Sequence, residues 1–376
     1  MAVAGGDHPP LVMLAAGGTG GHLFPAEALA VALQRHGVAI ELATDERATR
    51  YGADFPARAT HIVPSATFRG SNPVGVARTL WSLGSGVLRA YALLGTIKPA
   101  AVVGFGGYPT IPPVAAATLR GIPTVIHDSN AVLGRANKLL APRVTAIATT
   151  FPGVVEHDPK LAAKATRTGN PVRPAVVAAA STPFAAPVAG GVLNLLVFGG
   201  SQGARVMADV VPPAIEHVPS DVRARLKVVQ QARDEDIERV RSTYARLGVA
   251  AEIAPFFSDL PARMAQSHLV ISRSGASTVA ELAAVGRPSI LVPLPHALDQ
   301  DQLANATVLE RAGGAVCLRQ DLFTPNRLAA EIAQLAGEGG KLAAMAEAAK
   351  SAGTIDAAER LAALVVKVAG LQAGSR

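Results

Sequence analysis

His22 closes the string GGTGGH, residues 17–22, between an apolar run and a stretch with helical apolar spacing. A histidine titrates near neutral pH, so one placed there can accept a proton from a hydroxyl or, once charged, bind a phosphate. The glycines let the backbone approach a ligand closely, and the N–H groups at a helix start favour anions. The same grammar returns in GGSQGAR, residues 199–205. Each half of the chain holds a further glycine-rich turn, GFGGYPT at 104–110 and SRSGAST at 272–278. Phosphate-bearing ligands suit this pattern. No G-x-x-x-x-G-K-[ST] string occurs, which argues against a P-loop kinase or ATPase. From Gly18 the first loop runs GTGGHL, so Leu23 replaces the third glycine of the dinucleotide fingerprint. Asp45 nevertheless follows at roughly the distance of a ribose-binding acid, and an NAD(P)-dependent oxidoreductase is one open reading of these loops.

Loops of this kind need strands and helices to hold them. LVMLAA, VAIEL, AAVVGF, PTVIH and VTAIAT read as strands, with PAEALAVALQRHG and ANKLLA as helices among them. A second series runs LNLLVFGG, LKVVQQ, AAEIAPF, HLVISR and PSILVPL, with helices at DEDIERVRSTYARLG and ASTVAELAAVG. Near-continuous apolar strands alternating with helices predict an α/β fold with parallel sheets covered on both faces. The Pro-, Ala- and Gly-rich stretch 171–191 predicts a linker. It separates Rossmann-like domains at 1–170 and 192–353, and a helical segment follows at 354–376. Two domains also suit 376 residues, more than one core usually organises. Open sheets of this kind bind ligands at the C-terminal ends of their strands.

Composition narrows the partners. Aromatic residues are 4% of the chain, too few for a nucleic-acid binder that works by base stacking. The net charge of +7 suits phosphates or an anionic lipid surface without choosing between them. Cys317 is the only cysteine, so an internal disulfide and a Cys-rich metal site are both excluded, as in a reducing compartment. Asp299, Asp301 and Glu310 do not form a recognisable metal-binding pattern, and no metal or cofactor is expected. MAVAGGDHPP lacks the regions of a signal peptide, and no apolar run of about 18 residues occurs, so a membrane-spanning protein is not expected.

Seven strings stand in one order between Gly17 and Ala306: GGTGGHLFP, GFGGYPT, HDSNAVLGRANK, GNPVR, FGGSQGAR, SRSGASTVAEL and DQDQLANA. Together they closely resemble the MurG family of bacterial N-acetylglucosaminyltransferases, over nearly the whole chain. The resemblance implies a GT-B fold, with two Rossmann-like doubly wound domains facing across a deep cleft and the last helix packed back on the first domain. It implies an inverting, metal-independent hexosyltransferase of peptidoglycan synthesis. Such an enzyme moves GlcNAc from UDP-GlcNAc to the muramoyl 4-hydroxyl of undecaprenyl-linked lipid I and so forms β-1,4-linked lipid II. It also implies a peripheral place on the cytoplasmic face of the inner membrane, cell-wall synthesis proteins as partners, and no nucleic acid. A non-catalytic nucleotide-sugar sensor is a further alternative beside the oxidoreductase.

The same resemblance implies roles for individual residues. His22 ranks first as general base, or as His⁺ it would bind the acceptor's pyrophosphate. Asp128 ranks second, one methylene shorter than the Glu the family often has there. Gly18, Tyr108, His127 and Asn137 would surround the acceptor. Ser274, Gly275, Ala276, Ser277 and Thr278 would open a helix toward the donor's diphosphate, and Glu281 would accept both ribose hydroxyls. Ser201 would touch the diphosphate with Gln202 beside it. Phe257 would support the uracil, and Arg273 would lie close to the nucleotide. Asp301, Gln302 and Asn305 would read the sugar hydroxyls. Thr19, Gly20, Gly21, Asn130 and Arg173 complete the expected donor set.

One segment points to lipid. In residues 72–99, Val76, Leu80, Leu83, Val87, Leu94 and Ile97 recur at helical spacing and are expected to face the core. Trp81 and Leu88, seven apart, form a second stripe nearby, flanked by Arg78, Arg89 and Lys98. Leu80, Trp81 and Leu88 are therefore the expected membrane patch, favoured by an anionic interface. The alternative is a helix buried on both sides.

Overall fold

The computed structural model describes residues 9–17, 19–46, 55–65, 73–188, 190–200, 203–338 and 340–371, without the side chains of 73–77, 80 and 298. The fully buried run LVMLA forms β1 (Leu11–Ala15), which pairs in parallel with β2 (Ala39–Thr44). With β3 (Ala59–Ile62), β4 (Ala101–Gly104), β5 (Thr124–Asp128), β6 (Ala146–Thr149) and β7 (Ala165–Arg167) they make a seven-stranded sheet ordered β3-β2-β1-β4-β5-β6-β7. The order reverses between β1 and β4, the switch point where open α/β sheets bind ligands. The glycine turns after β1 and β4 therefore open side by side.

One face of this sheet is covered by α1 (Gly20–Arg35), whose Leu23, Ala26, Leu29, Ala30 and Leu33 are buried. The other is covered by α2 (Pro73–Ile97), α3 (Ile111–Leu119) and α4 (Arg135–Leu140), through Leu83, Ala90, Leu94, Val114 and Leu140. The short α5 (Pro159–Ala162) precedes β7.

A second sheet repeats the plan. β8 (Leu193–Phe198), β9 (Leu226–Gln231), β10 (Ala250–Ala254), β11 (Leu269–Ser272), β12 (Ser289–Leu291) and β13 (Ala315–Cys317) are ordered β10-β9-β8-β11-β12-β13. Its switch point lies between β8 and β11, again below two glycine turns. Along the chain run α6 (Pro174–Ala179), α7 (Arg205–His217), α8 (Ser220–Arg223), α9 (Ile237–Arg246), α10 (Leu260–Gln266), α11 (Ala276–Val285), α12 (Asp301–Arg311), α13 (Pro325–Gly337) and α14 (Lys341–Ala352).

The chain divides into two compact units, with borders at Arg173/Pro174 and Ile355/Asp356. The last helix, α15 (Ala357–Val368), belongs to the first unit, where Leu361, Ala362, Val365 and Val366 join the α1 side of the core. Much of the expected linker is instead part of the second unit. Its helix α6 buries Val176, Arg287 Nη2 donates to Thr182 O at 3.1 Å, and Lys350 Nζ donates to Ala180 O at 2.7 Å.

One sequence reading shifts, at the first glycine loop. Helix α1 begins at Gly20, not at Pro25, so Thr19 is its N-cap and His22 sits on its first turn. Pro25 inside the helix lacks the N–H that would bond Gly21 O. On α2, Leu83 and Leu94 are buried as expected and Val87 and Ile97 pack partly against the core. Val76 and Leu80 have side chains outside the described set.

Candidate active site

In the first unit, the His22 ring lies in a trough of glycines. A Cβ built on Gly17, Gly106 or Gly107 would sit 3.4–3.6 Å from imidazole atoms, in ordinary contact with the ring. Gly106 and Gly107 also have φ of +82° and +75°, a left-handed pair that side chains other than glycine rarely adopt. Thr19 Oγ1 lies 3.0 Å from His22 Nδ1. The tautomer protonated on Nδ1 donates to that hydroxyl and makes Nε2 the basic nitrogen, the arrangement a general base needs. Tyr108, half-buried, follows the glycine pair, and Gly20 and Gly21 open α1. Gly18 is outside the described residues.

Asp128 does not have the geometry of a base. It is 2% exposed. Its Oδ1 accepts from Asn130 N at 3.0 Å, and its Oδ2 accepts from Gly134 N at 2.7 Å and from Asn137 Nδ2 at 2.9 Å. Those bonds close the 128–134 loop and hold the half-buried Asn130 at its start. They also correct the expectation for Asn137, which is buried and donates to His127 O as well. His127 is corrected too. Neighbouring strand residues point to opposite faces, and its ring is fully buried, 5.5 Å from that of Phe105. Burial pushes its pKa down to about 4, so the neutral ring donates Nε2–H to Gly169 O at 3.0 Å. Arg173 lies in the first unit with its guanidinium 4.2 Å over the Phe24 ring.

In the second unit, α11 opens at the end of β11 with Gly275 as N-cap and Ala276, Ser277 and Thr278 in its first turn. The helix start presents N–H groups to an anion. Among the described residues, the buried Ser277 Oγ has no hydrogen-bond partner. Glu281 is 6% exposed on the following turn, inside the same helix. Ser201 and Gln202 are outside the described residues.

Asp301 and Gln302 begin α12 after two left-handed residues, Asp299 (φ 56°) and Gln300 (φ 57°). Such backbone is costly and is held only where surrounding bonds enforce it. Gln302 supplies two of those bonds: its Oε1 accepts from Leu294 N at 3.1 Å and its carbonyl accepts from Ser274 Oγ at 2.8 Å. Burial raises the Asp301 pKa, opposed by the Gln302 N–H at 2.7 Å. Asn305, expected to read sugar hydroxyls, is wholly buried and donates to Ser274 O at 3.3 Å, so it ties α12 to the glycine turn. Arg273 is likewise a clamp. It donates to Val292 O, Pro293 O and Gln320 Oε1 at 2.5–3.1 Å.

Phe257 is buried, with Arg263 stacked 4.4 Å over its ring. Its neighbour Phe256, which the sequence analysis does not single out, is 65% exposed. The FF pair at a strand end was the available signal, since one of two adjacent rings there faces outward.

Residues 12–149 match the glycosyltransferase family 28 N-terminal domain, and residues 194–361 match the glycosyltransferase family 28 C-terminal domain. A protein of Rhodopseudomonas palustris (strain BisB18) is 64% identical over 96% of both chains, and one of Bradyrhizobium diazoefficiens is 61% identical over 96% of this chain and 99% of its own. Both are named UDP-N-acetylglucosamine--N-acetylmuramyl-(pentapeptide) pyrophosphoryl-undecaprenol N-acetylglucosamine transferase. The crystal structure of Acinetobacter baumannii MurG aligns with a TM-score of 0.78 at 28% identity, over 96% of this chain and 100% of that one. The chain belongs to the MurG family. It is a glycosyltransferase with the two Rossmann-like parallel sheets of the GT-B class.

Within a MurG-family enzyme the Asp128 geometry gives a direct expectation. Asp128→Asn keeps the shape but turns one acceptor into a donor facing N–H groups. We expect a stability loss of about 1.5–3 kcal/mol in denaturant titration, with turnover per folded molecule within about tenfold of wild type. A thousandfold loss of turnover at unchanged stability would return the base to Asp128.

Proposed function

We propose that the enzyme moves GlcNAc from UDP-GlcNAc to the 4-hydroxyl of the muramoyl sugar of lipid I, giving lipid II with a β-1,4 linkage. The observation that carries this reading is 64% identity over 96% of the chain to a transferase named for that donor and acceptor. The site chemistry supports it. His22 Nε2 takes the proton of the acceptor hydroxyl as its oxygen bonds to the anomeric carbon. The bond from that carbon to the diphosphate oxygen breaks in the same displacement, which inverts the centre. UDP leaves with its charge facing the N–H groups at the start of α11 and the Ser277 hydroxyl. Glu281 accepts from the ribose diol, Asp301 and Gln302 read the GlcNAc hydroxyls, and exposed Phe256 offers its face to the uracil. The test is incubation with UDP-GlcNAc and a lipid I analogue, following disaccharide and UDP. Tight NADH binding without UDP binding would favour the oxidoreductase instead.

The acceptor's polyprenyl chain stays in a bilayer, so the enzyme has to reach the surface. Among the described residues no helix is long and apolar enough to cross a membrane. On α2, however, Trp81 is 79% and Leu88 73% exposed, with Tyr91 on the same helix 40% exposed. Arg78, Arg89 and Lys98 are exposed along it. An aromatic and apolar stripe rimmed by cations suits an anionic interface. We place the enzyme peripherally on the cytoplasmic leaflet through this stripe. Trp81→Ser with Leu88→Ser should stay folded, lose co-sedimentation with anionic liposomes, and turn over a short-chain soluble acceptor like wild type. Undiminished liposome binding would move the docking surface elsewhere.

A further inference from the structure

The C-terminal rim of the second sheet is stitched by side chains where its ladders stop. Strand β9 lies between β10 and β8. The β8–β9 ladder ends at the pair Val197–Gln230, one residue before Gln231. Gln231, 8% exposed, continues it with its carboxamide. Its Oε1 accepts from Gly199 N at 3.0 Å, and its Nε2 donates to Pro255 O at 3.1 Å. One amide thus stands in for a peptide rung to both neighbours.

The two chain segments it joins are the ones that matter for a nucleotide. Gly199 opens the glycine loop after β8, folded so tightly that a Cβ there would lie 2.2 Å from Ala204 N. Pro255 immediately precedes exposed Phe256 and buried Phe257. The bridge needs an acceptor on one side and a donor on the other. A primary amide has both, whereas a carboxylate would place a negative oxygen against Pro255 O. The adjacent Gln230 spends its amide elsewhere, on the Tyr244 hydroxyl at 2.5 Å and on Met207 O at 3.3 Å, within the helix-covered core.

We infer that Gln231 is a positioning residue for the donor: it fixes the spacing between the nucleobase platform at Phe256 and the glycine loop that meets the diphosphate. This rests on the reading of the second unit as the UDP-GlcNAc site. A ligand that spans both loops depends on the spacing, and one that touches only the base platform does not.

The test compares wild type, Gln231→Leu, Gln231→Glu and Gln230→Leu, using UDP and uridine as calorimetric probes and UDP-GlcNAc in kinetics. Gln231→Leu should raise the donor KM and weaken UDP binding by about tenfold, with kcat and uridine affinity little changed. Gln231→Glu should bind UDP weakly at neutral pH and recover as the pH falls, because the protonated acid again accepts from Gly199 and donates to Pro255. Gln230→Leu should lower the melting temperature and leave the UDP-to-uridine affinity ratio at the wild-type value. Wild-type UDP affinity in Gln231→Leu, an equal loss of uridine affinity, or a Glu variant with no recovery at low pH would overturn the inference. A wild-type protein that binds no UDP at all would overturn the functional reading beneath it.

Discussion

His22→Ala is expected to lower kcat by roughly 100-fold or more, the usual contribution of a general base. UDP affinity should stay near wild type. The groups named above for diphosphate, ribose and base stand on α11, the glycine loop after β8 and the segment after β10, and the donor contacts expected at Gly20 and Gly21 of α1 are backbone ones that the substitution keeps. Two features of the geometry make the prediction specific. The ring lies in contact range of Gly17, Gly106 and Gly107, and Thr19 Oγ1, 3.0 Å from Nδ1, can accept from the tautomer that leaves Nε2 basic. Thr19→Val should therefore cost kcat about tenfold, the loss of one orienting neutral hydrogen bond, and leave both Michaelis constants close to wild type. If His22→Ala instead raises only the acceptor's KM, the ring binds the acceptor's pyrophosphate as His⁺ and another group takes the proton.

That assignment was partly legible in the sequence. Apolar runs such as LVMLA and LNLLVF are buried on both faces, so hydropathy alone marked them as strands. The glycine turns then fell at strand ends by necessity. What local sequence does not carry is where a polar side chain points. His127 and Asp128 are consecutive on β5, so one ring packs near Phe105 while the next carboxylate closes a loop. Both belong to one motif, yet neither is placed to do chemistry on a substrate. Asn305 and Arg273 likewise bond to backbone carbonyls 19 to 31 residues distant, and Arg273 also to the Gln320 side chain, contacts that local sequence does not carry.

Distance in sequence also explains the linker and the start of α1. Residues 174–188 have a linker's composition, but Arg287 and Lys350, more than 100 residues on, hold carbonyls of that segment. Gly-Gly-His has poor helix propensity and Pro25 resembles a first helical residue. Burial of Leu23 in the α1 core nonetheless draws the helix back to Gly20. The exposure of Trp81 and Leu88 was open for the same reason. Their spacing puts them on one stripe of α2, and only the packing of other elements decides whether that stripe is covered.

Glu281→Gln should weaken UDP binding by about 1–1.5 kcal/mol, roughly 5- to 13-fold, because a hydrogen bond to a charged acceptor is exchanged for a neutral one. The carboxylate suits this role by placement. It lies on the turn after the helix start and is 6% exposed, so its bonds form in a site with little competing water. Two carboxylate oxygens can accept from two hydroxyls at once, whereas Gln offers one oxygen and turns an NH2 toward the other. Discrimination should fall along with affinity. Wild type should prefer UDP to 2′-deoxy-UDP by about tenfold, the value of one lost bond, and Glu281→Gln should prefer neither. Because the amide is nearly isosteric, α11 should keep its helix start, and inorganic pyrophosphate should bind both proteins alike. If Glu281→Gln binds UDP as wild type does, or still rejects the deoxy nucleotide, the carboxylate serves the helix and the ribose is held elsewhere.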